Sequence, residues 1–126
     1  MHHMKEMIAT HPDVKGSTND ALIRCLEECY SCAQTCTSCA DACLAEEMVA
    51  QLRQCIRLNL DCADICLTTG KVLSRHTGYD ANLTRAVIDA CRTACKACAA
   101  TTPCITGTSS SRSTTAFARP GTAGTG

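Results

Sequence analysis

Tryptophan is absent from this chain, phenylalanine occurs once and tyrosine twice. Aromatic rings bury ~150–250 Å² each and dominate most cores, so the interior here must be filled by something else. Neither sign of charge is in excess, with 12 Lys and Arg against 12 Asp and Glu. That balance argues against nucleic acid or an anionic membrane as a partner. No stretch approaches the ~18 apolar residues of a membrane span. The opening "MHHMKEMIATHPDV" has no basic region followed by a long apolar run, so no secretory signal is expected and the chain reads as cytoplasmic. No Gly-rich phosphate loop, nucleophile elbow or paired-acid arrangement occurs, so nothing suggests an enzyme.

What the chain has instead is cysteine, thirteen in 126 residues. Apolar residues reach 45%, but without the cysteines they fall to roughly a third, too few for an ordinary core. Cysteine at this density usually marks a secreted disulfide scaffold. A cytoplasmic chain keeps its thiols reduced, and an odd count leaves at least one cysteine unpaired in any all-disulfide monomer.

The length suits one domain. Residues 1–16 read as a short lead-in with a helical turn at Met4–Ala9. "STND" at 17–20 is a run of helix N-cap residues. Three helices are predicted, over about 18–45, 47–75 and 81–100, with Gly70 inside the second at a local cost of ~1 kcal/mol. No strand alternation competes with them. The cysteine-rich bundle is thus expected over residues 1–100. Residues 101–126 turn abruptly to Thr, Ser, Gly and Ala and read as a low-complexity, disordered tail.

In "CLEECYSCAQTCTSCADAC", residues 25–43, cysteine recurs at steps of four and three. Such a repeat drifts only ~20° per heptad on a helix, so Cys25, Cys29, Cys32, Cys36, Cys39 and Cys43 form one stripe. Cys55, Cys62 and Cys66 keep the same register on the second helix, as do Cys91, Cys95 and Cys98 on the third. Three helices in this phase would aim twelve thiols at one axis. Neighbours at i,i+4 have Cβ atoms ~5–6 Å apart, too far for a disulfide, which needs ~3.5–4.5 Å. A bridging metal relaxes that limit, since two bonds of ~2.3 Å let sulfurs stand up to ~4.6 Å apart.

A continuous row of thiols defines no single four-ligand point of the kind structural zinc prefers. It suits a soft ion content with two or three shared thiolates, and soft thiolates favour Cu(I). A neutral thiolate–Cu(I) pair also lowers the cost of burying charge. Plain packing of cysteine as a small hydrophobe would explain one or two such residues. Twelve would give a thin core with an oxidation hazard and no return. A Zn- or Cd-sequestering protein, metallothionein-like in role, and a thiol redox protein are the alternative readings.

The segments "CLEECYSCAQTCTSCADACLAEE", "LRQCIRLNLDCADICLTTGKVLSR", "TGYDANLTRAVIDACRTACKACA" and the opening "HHMKEM" resemble the cytosolic branch of the bacterial copper storage proteins, over about residues 1–98. The resemblance implies an all-α, antiparallel four-helix bundle holding multiple Cu(I) ions on core thiolates. It implies copper tolerance as the role, a copper chaperone or small-thiol donor as the source, and often a homotetramer of bundles. Carried over by position, the ligands would be Cys25, Cys29, Cys32, Cys36, Cys39, Cys43, Cys55, Cys62, Cys66, Cys91, Cys95 and Cys98. After Cys98 the family continues into a His-containing turn and a fourth cysteine-bearing helix. This chain has its Thr/Ser/Gly tail there, a composition typical of GC-rich DNA read out of frame. Three helices alone would leave one flank of the thiol core open to water. Cys104 lies beyond the resemblance and is left out of the ligand set. His2, His3 and His11 could bind copper but are more simply read as incidental, and His76, in a turn beside Arg75, is expected at the surface.

Overall fold

A computed structural model of the chain describes residues 3–101. It is all-helical among those residues, with α1 over Met4–Ala9, α2 over Asp20–Leu44, α3 over Arg53–Leu73 and α4 over Ala81–Ala99. The expected tail after residue 101 lies outside the described residues.

Asn19 caps α2, its side-chain oxygen accepting from the backbone N–H groups of Ala21 at 2.9 Å and Leu22 at 3.4 Å. Asp80 does the same for α4, accepting from Asn82 at 2.8 Å and Leu83 at 3.1 Å. Each satisfies donors that the first helical turn leaves without partners. The predicted second helix starts differently. It has no side-chain cap, and a 3-10 turn over Val49–Leu52 carries the chain into α3, which becomes α-helical only at Arg53.

Gly70 sits in the last turn of α3 for a steric reason. A Cβ there would lie 3.0 Å from Cε2 and Cζ of the Tyr30 ring, so α2 and α3 approach through a residue with no side chain. Lys15 and Gly16, with φ of 54° and 82°, form the left-handed turn between α1 and α2.

The helix directions follow from which sulfurs meet. Ascending α3 and descending α4 bring Cys62 to Cys95 and Cys66 to Cys91, each at 3.7 Å, so these helices run antiparallel. Cys36 of α2 shares one sulfur group with Cys98 of α4, and Cys32 shares another with Cys95, so α2 and α4 run parallel across the axis.

Along that axis the core has three compartments. A central one holds Cys29, Cys32, Cys36, Cys62, Cys66, Cys91, Cys95 and Cys98 with Ala33 and Ala63. One end holds Cys39, Cys43 and Cys55 with Leu52. The other is an apolar plug in which Ile8 of α1 packs with Ile23, Leu26 and Leu73. The expectation that one flank of the thiols would be open to water is not met in the central compartment, whose eight cysteines are all 0% exposed. Their short side chains keep the sulfurs near the axis, with Ile65, Ala94 and Ala99 packed around them.

Candidate metal centre

Cysteine is a short ligand with one soft donor atom, so the site is defined by where the backbone puts each Cβ. On α2, Cys32 and Cys36 place their Sγ atoms 3.6 Å apart, and on α3 Cys62 and Cys66 place theirs 3.8 Å apart. These separations are far longer than the ~2.05 Å of a disulfide and shorter than the ~4.6 Å span of a linear two-thiolate clamp built on bonds of ~2.3 Å.

Between helices the sulfurs are equally close. Cys32 lies 3.7 Å from Cys62, and Cys66 lies 3.6 Å from Cys95. Two groups result. The sulfurs of Cys32, Cys62, Cys66 and Cys95 are all within 4.8 Å of one another, as are those of Cys36, Cys62 and Cys98. Sequence spacing alone led us to expect no single four-ligand point. That expectation treated each helix separately, whereas two sulfurs of α3 meet one from α2 and one from α4.

The thiols also share protons. Cys32 is held well below the ordinary thiol range because Cys36, Cys62, Cys66 and Cys95 all donate toward it. Cys91 is lowered in the same way by Cys29, Cys66 and Cys95. The donors Cys29 and Cys36 are pushed up, chiefly by their bonds to neighbouring sulfurs and then by burial. Half-buried Cys25 is lowered to about 7 by the bond from Cys29, against the opposing effect of burial. Cys43 is raised to about 11, first by burial and then by the charge of Cys39.

Two polar residues in the same register were missed from sequence. Asn59 and Thr69 are each 1% exposed, and 55, 59, 62, 66 and 69 follow the same steps of four and three. Looking for polar residues in that register would have found both. The Asn59 amide donates to the Cys55 backbone oxygen at 2.9 Å, which turns its Oδ1 toward Cys98, whose thiol donates to it at 3.3 Å. Thr69 returns its hydroxyl to the Ile65 carbonyl at 2.7 Å. Cys55 differs from the central thiols in being engaged in a disulfide, so it would need reduction before it could ligate.

The described histidines do not join the thiols. His3 is exposed, 3.7 Å from Glu6. His76, expected at the surface, is half-buried, its ring edge-on to His11 with centroids 5.9 Å apart and its Nε2 buried without a hydrogen-bond partner. The difference arises because α1 and its turn fold back over the end of the bundle, where His11 also meets the Thr77 hydroxyl at 3.0 Å. His2 and Cys104 lie outside the described residues.

Comparison with known proteins gives a consistent result. The sequence model of the copper storage protein family matches residues 18–115, running past Cys98, where the resemblance read from the cysteine motifs stops. No curated protein sequence matches. Among solved structures, the chain is similar to the copper storage protein Ccsp from Streptomyces lividans loaded with 10 copper equivalents, at 46% identity and a TM-score of 0.78, covering 93% of this chain and 96% of that one. It is also similar to the cytosolic copper storage protein of Streptomyces lividans carrying five coppers, at 45% identity and a TM-score of 0.69, covering 95% and 89%. A histidine-to-alanine mutant of Ccsp matches at 50% identity over 80% of this chain and 91% of that one, with a TM-score of 0.68.

Proposed function

The chain belongs to the copper storage protein family, and from that premise we propose that its helical region, to about residue 100, stores several Cu(I) ions in the cytosol on the twelve cysteines from Cys25 to Cys98. The observation that carries this reading is the central compartment, where eight fully buried cysteines crowd their sulfurs around one axis. Ordinary packing would use leucine there, because each added buried methylene contributes about 0.8 kcal/mol.

The process is uptake without turnover. Cu(I) arrives by ligand exchange from a small thiol or a copper chaperone: a core thiol gives up its proton, its thiolate bonds to the copper, and the donor sulfur departs and takes up a proton. Sharing of thiolates between ions then fills the column and keeps free Cu(I) low. Among the described residues the arrangement offers a column of thiol ligands, which fits a store. Association of bundles into a homo-oligomer would further shield the helices. None of the four helices is long and apolar enough to cross a membrane.

Anaerobic titration of the reduced chain with Cu(I), against a chromophoric chelator, tests the reading. Uptake of several Cu(I) ions per chain, well beyond the Zn(II) stoichiometry, is expected. Equal uptake of both ions would favour a zinc- or cadmium-sequestering role, and a reversible thiol–disulfide cycle without copper uptake would favour a redox role.

A further inference from the structure

Cu(I) bound by two or three sulfurs needs them about 4.0–4.6 Å apart for bonds near 2.3 Å, yet six pairs of central sulfurs sit between 3.6 and 3.8 Å apart. We propose that Cys32, Cys62, Cys66 and Cys95 form a preorganised four-thiolate site for one soft divalent ion of the Zn(II) or Cd(II) class, which copper loading expels. This rests on the reading of the central thiols as metal ligands, but not on their taking copper.

The geometry is that of a tetrahedral hole. A regular tetrahedron with Zn–S bonds of about 2.3 Å has S–S edges of about 3.8 Å. Four of the six edges here measure 3.7, 3.8, 3.7 and 3.6 Å, for Cys32–Cys62, Cys62–Cys66, Cys62–Cys95 and Cys66–Cys95. The other two are no longer than 4.8 Å. The ligands come from three helices, so ion binding would also tie α2, α3 and α4 together.

One such ion is expected. Among the described residues a single group brings four sulfurs within 4.8 Å of one another; the second, Cys36, Cys62 and Cys98, has three and shares Cys62 with it. Binding replaces four thiol protons, released to solvent, with one dication and leaves a net charge of two minus. Burying that charge is costly unless donors surround it. One is in place: the Cys36 sulfur lies 3.6 Å from Cys32. As a thiol it can donate to that ligand sulfur from outside the shell. Cu(I) has the stronger preference for thiolate and would release the divalent ion to water as it loads.

The test is anaerobic titration of the reduced full chain with Cd(II), following sulfur-to-metal charge-transfer absorption, and with Zn(II) against a chromophoric competitor. Saturation at one equivalent is expected, with loss of tight binding in Cys95→Ser and retention in Cys104→Ser, the one cysteine outside the ligand set. Circular dichroism checks that both variants remain helical. Should Cys95→Ser fail to fold, cadmium NMR of the unaltered chain decides: an all-sulfur environment supports the site, and a mixed oxygen or nitrogen environment overturns it. Failure to saturate at one equivalent, or equal binding by both variants, also overturns it. A Cu(I) titration of the same sample separates the two readings. Copper uptake without divalent binding removes this site alone, whereas divalent binding without multiple Cu(I) removes the storage role alone.

Discussion

Cys62→Ser should damage the copper store more than any substitution at the Cys39/Cys43 end. The Cys62 sulfur is 3.7 Å from Cys32, 3.8 Å from Cys66 and 3.7 Å from Cys95, and it belongs to both central sulfur groups. The Cys43 sulfur belongs to neither. The metal-free fold should tolerate the change. A serine at 62 can return its hydroxyl to the carbonyl four residues earlier, as Thr69 and Ser74 do at 2.7 Å. With that bond made, the cost falls at the low end of the ~1–3 kcal/mol for a poorly satisfied buried polar group. About 1 kcal/mol corresponds to a fall in Tm of about 4–8 °C in a domain of this size. Copper binding adds a second effect, because each tenfold loss in affinity removes about 1.4 kcal/mol of ligand-linked stabilisation. The assays are anaerobic Cu(I) stoichiometry and thermal melts with and without copper, for Cys62→Ser and Cys43→Ser in parallel. Cys62→Ser should lose more copper and show the larger deficit in copper-induced stabilisation. Equal losses would refute the idea that shared central sulfurs organise the store.

Three further outcomes follow from the rest of the fold. Leu26→Ala, at a fully buried position in the apolar plug, should cost about 2–5 kcal/mol in a metal-free melt while leaving Cu(I) stoichiometry unchanged under conditions where the chain is folded. Gly70→Ala should fail to deliver the ~1 kcal/mol gained by Gly-to-Ala changes in helices, because the new Cβ meets the Tyr30 ring; in a Tyr30→Ala background the gain should return, as denaturant melts of the four variants would show. Cys25, lowered to about 7 by the Cys29 thiol, is protonated below that value and a thiolate above it, so its alkylation rate should rise through neutral pH and level off. Cys43, raised to about 11, should stay slow over the same range, and Cys29→Ala should move the Cys25 profile upward, as residue-resolved mass spectrometry would reveal.

The thiol stripe was legible because side-chain period is a property of the helix itself: steps of four and three fix a face before any partner is known. Helix starts were legible where a side chain caps them, at Asn19 and Asp80. They were not legible at α3, where a 3-10 turn replaces the cap. The four-sulfur group was hidden because it depends on the relative heights of three helices, which no single helix encodes. The plug was hidden for a similar reason. Ile8 lies in a six-residue helix that gains its partners Ile23, Leu26 and Leu73 only through tertiary packing. That same return of the chain half-buries His76 in what reads as a surface turn.

X-ray absorption at the copper edge of the anaerobically loaded chain tests the central claim most directly. A core of shared thiolates predicts copper in the monovalent state with only sulfur neighbours, two or three per ion, at about 2.3 Å. A first shell dominated by nitrogen or oxygen would place the metal on surface histidines or carboxylates, and would contradict storage in the cysteine core.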